Sequence, residues 1–398
     1  MRFRLAGASG ILLLSLVGCA APGGAEPPSN ASTGDGHGAI EGARELAEPA
    51  LHLTTVDAEG TVQHLDLLDE ESSTLTEIEP IDDLVSDGRY LFGIRSGSVT
   101  VIDSGVWTWS HIDHFHYYEA PSRVIGEVEG AGVATVTTGE TGTGIRFEDE
   151  AVLLDTPALA DGEIVEQFRI PVSSTEGLLV PLDEGAVLTE PGEGAGELRI
   201  VAADGAPGKS TACAAATGTI TTVVGVVIGC DDGAVMAVGG DSAEWEQIAY
   251  PADRAAPAAT DFAARKARPS VAALAGDEGL WLLDTRARTW TFHDIGEEIV
   301  QVAAVDDESE RVLALAADGS VLVLIGDAVI ARTAPLVGAS LADPDLAAGV
   351  TLVVDQQRAY LNGPAENMMW EIDPADDARI SRVFETATSP VHLAGTGR

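Results

Sequence analysis

The sequence predicts an all-β fold, a seven-bladed β-propeller, preceded by a leader peptide and a disordered tether. Three observations carry this reading. Short apolar runs of strand composition recur along the chain, with no long apolar repeat of helical period. The runs pair across turns in which Asp or Ser precedes Gly, as in YLFGIRSGSVTVID (90–103) and RVLALAADGSVLVLI (311–325). The turn glycines Gly97, Gly144, Gly185, Gly233, Gly279 and Gly319 recur at roughly 40 to 48 residues, the period of propeller blades. The turn at Gln357-Arg358 supplies a seventh marker. The stretch 51–68 and the terminal VHLAG run (391–395) are then left over. A ring uses both by letting the two chain ends complete one blade, which removes an open sheet edge. A jelly roll is the alternative, but it would not repeat a hairpin at blade spacing. A helical turn is expected only over 257–266.

The elements follow in order. Arg2 and Arg4 precede an apolar run, 5–17, that is too short to span a bilayer as a permanent helix, so 1–18 reads as a signal peptide. Its end, Leu16-Val17-Gly18-Cys19, resembles the lipobox of bacterial lipoproteins, which implies that Cys19 takes lipid and becomes the mature N-terminus. From Cys19 to Glu48 the chain is small and acidic, the composition of a flexible tether. His37 stands alone within it and reads as a spacer. The domain proper is 49–398, long enough for one large core.

The net charge is −42, nearer to about −44 once Arg2 and Arg4 leave with the leader. Such a balance argues against nucleic acid and against docking on anionic lipid. The acidic pairs Asp231-Asp232, Asp306-Asp307 and Asp376-Asp377 fall in hairpin turns, where Asp before Gly is ordinary, and are read as turn chemistry rather than calcium sites. Two cysteines remain beyond Cys19. Outside the cytoplasm Cys213 and Cys230 most simply form a disulfide, stapling neighbouring strands or a strand to its incoming loop.

The chemistry concentrates in WTWSHIDHFHYY (107–118), which holds three of the eight histidines and four of the eleven Trp and Tyr residues. In an extended chain His114 and His116 point the same way, and His111 joins them across a bend. Three convergent imidazoles suit zinc, whose usual ligands are His, Cys and carboxylate. Asp113 is a further ligand or an orienting group. The blade register makes WTWS an outer strand, and 120–124 the lead into the next inner strand. It also puts His392 at the channel mouth, where the first and last copies are neighbours. His392 therefore completes or borders the site, or is a hydrogen-bonded histidine of an inner strand. His293 in TWTFHD reads as a rim residue. No G-x-S-x-G elbow is present, and no catalytic role is expected.

The run DSGVWTWSHIDHFHYYEAPSRVIGEVEG (103–130) resembles the periplasmic zinc metallochaperones of the AztD type. His111, Asp113, His114, His116, Tyr117 and Tyr118 match the central motif, Cys213 and Cys230 a later cysteine pair, and His392 a terminal histidine. The resemblance implies a seven-bladed propeller that binds Zn2+ and passes it to the solute-binding protein of a zinc ABC transporter. It is expected to be monomeric, extracytoplasmic and held to the membrane through its N-terminal lipid. Two departures stand out: Ile112 replaces a usual Gly, and AAATGTITT after Cys213 lacks a His-Gly. The alternative function is a membrane-anchored propeller acting as an interaction scaffold without metal.

Overall fold

In a computed structural model, residues 40–398 are described, apart from 41, 112–113, 191–195, 240–242, 253–255 and 278. Cys19, His37 and Asp113 lie outside the described residues, as do the leader and most of the expected tether. The chain divides into Met1–Gly36 and a compact unit, His37–Arg398. No helix among the described residues is long and apolar enough to cross a membrane.

The described residues of the compact unit form eight four-stranded sheets and one of three strands. The first strand, β1 (Arg44–Leu46), belongs to the three-stranded sheet. Blade 1 takes β2 (His52–Val56), β3 (Thr61–Asp66) and β4 (Ser72–Glu77), and its fourth member is the C-terminal strand His392–Thr396, paired antiparallel to β2. Blade 2 begins with β5 (Asp83–Ser86), β6 (Tyr90–Arg95) and β7 (Ser98–Asp103). A hairpin then intervenes, β8 (Val106–His111) and β9 (His114–Glu119), before β10 (Arg123–Glu129) pairs with β7 and closes the blade. Blades 3 to 8 occupy 135–171, 179–212, 218–249, 260–294, 299–332 and 352–385.

The ring has eight blades, not the expected seven. The Glu59-Gly60 turn is itself a blade hairpin, so the blade completed by the two chain ends adds to the seven marked by six glycines and the Gln357-Arg358 turn. The packing shows the closure. Each strand of a blade sends alternate side chains to opposite faces, and eight apolar clusters fill the eight interfaces between neighbours. Leu91 of β6 packs on Val56 and Val62 of blade 1, whereas Tyr90, Phe92 and Ile94 pack on Ile145 and Phe147 of blade 3. Leu53 and Leu65 close the circle against Tyr360, Met369 and Phe384 of blade 8.

Among the described residues helix occurs in three short pieces, Thr156–Ala160, Gly338–Ala342 and Pro344–Ala347. The first and third are capped by the Asp155 and Asp343 side chains and carry proline in the first turn, where its missing amide hydrogen costs nothing. The expected helical turn at 257–266 is instead a strand, Thr260–Ala263, because its pairing with Ser270–Leu274 overrides the helix preference of its alanines. Acidic turn residues do the local work expected of them. Asp307 accepts from the Ser309 and Arg311 amides, and Asp376 pairs with Arg379.

Cys213 and Cys230 are joined, with Cα atoms 5.3 Å apart, in the apolar seam between blades 4 and 5. Cys213 follows the last strand of blade 4 and Cys230 ends an inner hairpin strand of blade 5, so the bridge ties neighbouring blades. With the cysteines 17 positions apart in sequence, reduction should cost about 3 kcal/mol. Thermal unfolding with and without reductant measures this.

His64 makes a second measurable contribution. It lies 5% exposed in the seam between blades 1 and 2, its ring 4.8 Å from that of His52, which in turn faces Asp66. Burial, and secondarily His52, hold its pKa down to about 3. The unfolded chain therefore takes up a proton first, and stability is full above the ordinary value of about 6.5 and falls as pH drops below it. A loss of about 2 kcal/mol by pH 5 is expected for this group. Urea unfolding at pH 7 and pH 5 should show a smaller pH dependence for His64→Leu than for the native chain.

Candidate functional site

The histidine-rich hairpin is an excursion from blade 2 rather than an outer strand. The expectation that WTWS closes a blade fails because β8 pairs with β9, and β9 with β1, while β10 takes the outer place beside β7. The neck of the excursion is narrow. The Gly105 carbonyl accepts from the Ala120 amide at 2.7 Å, and a Cβ on Gly105, whose φ is +83°, would fall 2.2 Å from the Ala120 carbonyl oxygen. Only glycine fits there.

The base of the hairpin is fixed by buried charge and ring contacts. Arg89 donates Nε and Nη2 to the two carboxylate oxygens of Asp103, at 3.1 and 2.8 Å, and Asp103 is 1% exposed. The same guanidinium lies over the Trp107 ring, 3.8 Å from its centre, a stacked cation–π contact. Trp107 stacks on Tyr118 at 5.3 Å, and the Thr108 hydroxyl donates to the Gly397 carbonyl at 2.7 Å. The chain's C-terminal end thus props β8.

Toward the tip the hairpin is open. Phe115 is 58% exposed and Trp109 45%. The register sets His111 opposite His114, Trp109 opposite His116 and Trp107 opposite Tyr118. Opposed and alternate residues share a face, so His114, His116 and Tyr118 form a row, with His116 and Tyr118 stacked at 6.2 Å. The Nε2 atoms of His114 and His116 stand 2.9 Å apart. His116 Nδ1 lies 2.7 Å from Glu45 Oε1, delivered by β1.

This arrangement can supply two imidazole ligands. Nitrogens bound to one tetrahedral zinc at about 2.0 Å stand about 3.3 Å apart, so a small opening of the pair admits the ion. Among the described residues no group of three or more His, Cys, Asp or Glu side chains is arranged to hold a metal together. The described half of the site is therefore the His114–His116 pair. Asp113 lies outside the described residues, and for His111 the strand position alone is described.

His392 is placed elsewhere. It pairs with Val56, whereas Gly397, the residue that touches β8, lies just beyond the other end of the same strand. His392 is 8% exposed and hydrogen-bonds the Ile81 backbone; burial lowers its pKa, opposed by that bond, Asp83 and Asp82. The ring does bring the chain ends together as neighbours, but it sets His392 among Ile81, Asp82 and Asp83. His293 sits 8% exposed with Nδ1 2.8 Å from Asp327, a paired rim residue. Sequence reasoning missed Glu45, because 19–48 read as tether and a three-residue strand has no periodicity to detect.

Fold and site together define an all-β propeller that carries an exposed imidazole hairpin on one blade. The fold is similar to that of AztD. The crystal structure of Citrobacter koseri AztD superposes with a TM-score of 0.75 at 17% identity over 88% of this chain and 98% of its own, and the structure of its apo form matches equally. The dihydro-heme d1 dehydrogenase NirN in complex with DHE superposes with a TM-score of 0.58 at 14% identity over 88% of this chain and 76% of its own. No family model and no curated protein sequence matches the chain.

The supports of the hairpin are testable. Arg89→Ala strips Asp103 of its bidentate partner, and Arg123, at 3.8 Å, does not replace it. A loss of about 3 kcal/mol is expected from leaving that carboxylate buried, together with a change in Trp107 fluorescence. Urea unfolding followed by tryptophan emission measures both.

Proposed function

We propose that this chain is an extracytoplasmic, non-enzymatic zinc-binding protein that holds the ion on the β8–β9 hairpin and hands it to the solute-binding protein of a zinc ABC importer. The observation that carries the reading is the 2.9 Å approach of His114 Nε2 and His116 Nε2 on an exposed hairpin, with His111 opposite His114 in the register. His111, His114 and His116 are the ligands, and Asp113 completes the shell or orients a ring. Zn2+ bound to neutral imidazoles at a solvent-facing tip exchanges by stepwise displacement, one incoming ligand for one leaving ring. A buried cage would not release its ion that way. The AztD architecture and the HIDHFHYY run support the same reading. In it the signal peptide directs export, Cys19 carries the lipid that holds the monomer at the membrane, and the tether gives the propeller reach.

The exposure of Trp109 and Phe115 also favours a second reading, a scaffold whose hairpin docks a protein without metal. One experiment separates the two. The native chain should bind one zinc per molecule, and the His114→Ala/His116→Ala variant should bind none while keeping the native unfolding midpoint. Equal metal content in both proteins would remove the zinc reading and leave the scaffold.

A further inference from the structure

We infer that Glu45 is a positioning residue of the metal site and that β1, which carries it, is a detachable strap: the site is fully formed only while Arg44–Leu46 is zipped to β9. The inference deepens the zinc reading and rests on it for its consequence, but its geometry stands alone.

β1 is an edge strand with one neighbour. It pairs Arg44, Glu45 and Leu46 with Glu119, Tyr118 and Tyr117. Glu45 is therefore opposite Tyr118 and on the same face, and its side chain reaches diagonally toward the tip, to the histidine two residues before Tyr118. Diagonal neighbours across a strand pair lie within reach of long side chains.

The contact fixes chemistry as well as position. An ionised carboxylate only accepts hydrogen bonds, so the proton between Glu45 Oε1 and His116 Nδ1 is on the ring nitrogen. A neutral His116 then carries its lone pair on Nε2, the atom aimed at His114. The hydrogen in the 2.9 Å contact between the two rings comes from His114 Nε2. Glu45 thus selects in His116 the tautomer that ligates through Nε2, and it locks the ring plane. Carboxylates that accept from a metal-bound histidine commonly serve this way.

Little holds β1 in place. Arg44 and Glu45 are exposed, and the ion pair of Arg44 with Glu119 is solvent-facing on both sides, at 72% and 46% exposure, where such pairs contribute little. No residue of β1 belongs to the eight apolar clusters that hold the blades together. The strap can leave β9 with the ring intact, and Glu45 leaves with it. Because binding and zipping are linked, zinc must tighten the strap by the same factor by which the strap tightens zinc.

The test uses the full chain with zinc alone as the probe. Glu45→Ala should still bind one zinc, but about 10 to 100 times more weakly, with faster loss to a chelator. Glu45→Gln, whose amide oxygen still accepts from Nδ1–H, should fall between Glu45→Ala and the native chain. In the metal-free protein, nitrogen-15 NMR of the imidazoles should find His116 protonated on Nδ1, and Glu45→Ala should shift it toward the other tautomer. Amide exchange of residues 44–46 should slow on adding zinc. Native affinity in Glu45→Ala would overturn the positioning role. Complete loss of zinc, as in the double histidine variant, would make Glu45 a ligand instead. Unchanged exchange at 44–46 would overturn the strap. If the native chain binds no zinc, the metal reading fails, whereas the tautomer measurement still decides whether Glu45 orients His116.

Discussion

Everything in this molecule depends on closing the ring. The C-terminal strand pairs with β2 from His52↔Thr396 to Val56↔His392, so blade 1 exists only when residues from both ends of the domain have met. Closure converts a row of blades, each with one exposed apolar face at an end, into eight equivalent seams with none left over. It also delivers the last residues of the chain to a set place. Gly397, with φ +82°, bends close over the Ala50 carbonyl, and its amide donates to Gly88. Its own carbonyl accepts from Thr108. The base of the histidine hairpin is thus built on the residues that lock the ring.

That coupling explains the graded rigidity of the hairpin. At its root the buried Arg89–Asp103 pair, the guanidinium over Trp107 and the Gly105 neck leave no freedom. Toward its tip the contact described from outside the hairpin is the Glu45 side chain of β1, itself an exposed edge strand. The metal transfer proposed for the hairpin would use this gradient: a root that returns the ligands to one geometry, and a tip from which they can be taken. The aromatic row Trp107–Tyr118–His116 transmits the first property toward the second through stacked rings at 5.3 and 6.2 Å.

Much of this was legible in the sequence, for identifiable reasons. Short strands with Asp-Gly turns at blade spacing announce a propeller because a blade is a local unit, and its period survives in the chain as turn chemistry. The Cys213–Cys230 pair was legible because cysteines outside the cytoplasm have few other roles. The blade number was miscounted because blade 1 is not local; its innermost strand comes from 336 residues after its neighbour. The outer-strand assignment of 107–110 failed for a related reason. Aromatic, β-branched composition reports that a segment is a strand, not which partner it takes; the partner of 107–110 is the next strand, 114–119, whose other neighbour, 44–46, carries no strand signature. The same gap hid Glu45.

The histidines show how far environment outweighs residue type. His52, His64 and His392 share the face of blade 1 that carries Val56 and Val62 and meets blade 2, whereas His114 and His116 stand on the excursion from blade 2. In the seam the blade 1 histidines are shut away from water. His64 is held neutral by burial, its Nε2 enclosed without a hydrogen-bond partner, and His392 is spent on the Ile81 backbone. On the hairpin the rings face solvent, and one has a carboxylate at its back. A cation entering the seam would have to shed its water among apolar neighbours such as Val56, Val62 and Leu91, at a large desolvation cost. At the hairpin, in the function proposed above, it would exchange water for imidazole one ligand at a time. Residue type therefore does not merge these histidines into one site: access to water divides them, and among the described residues of the two groups the hairpin pair is the one placed to trade a ligand with solvent.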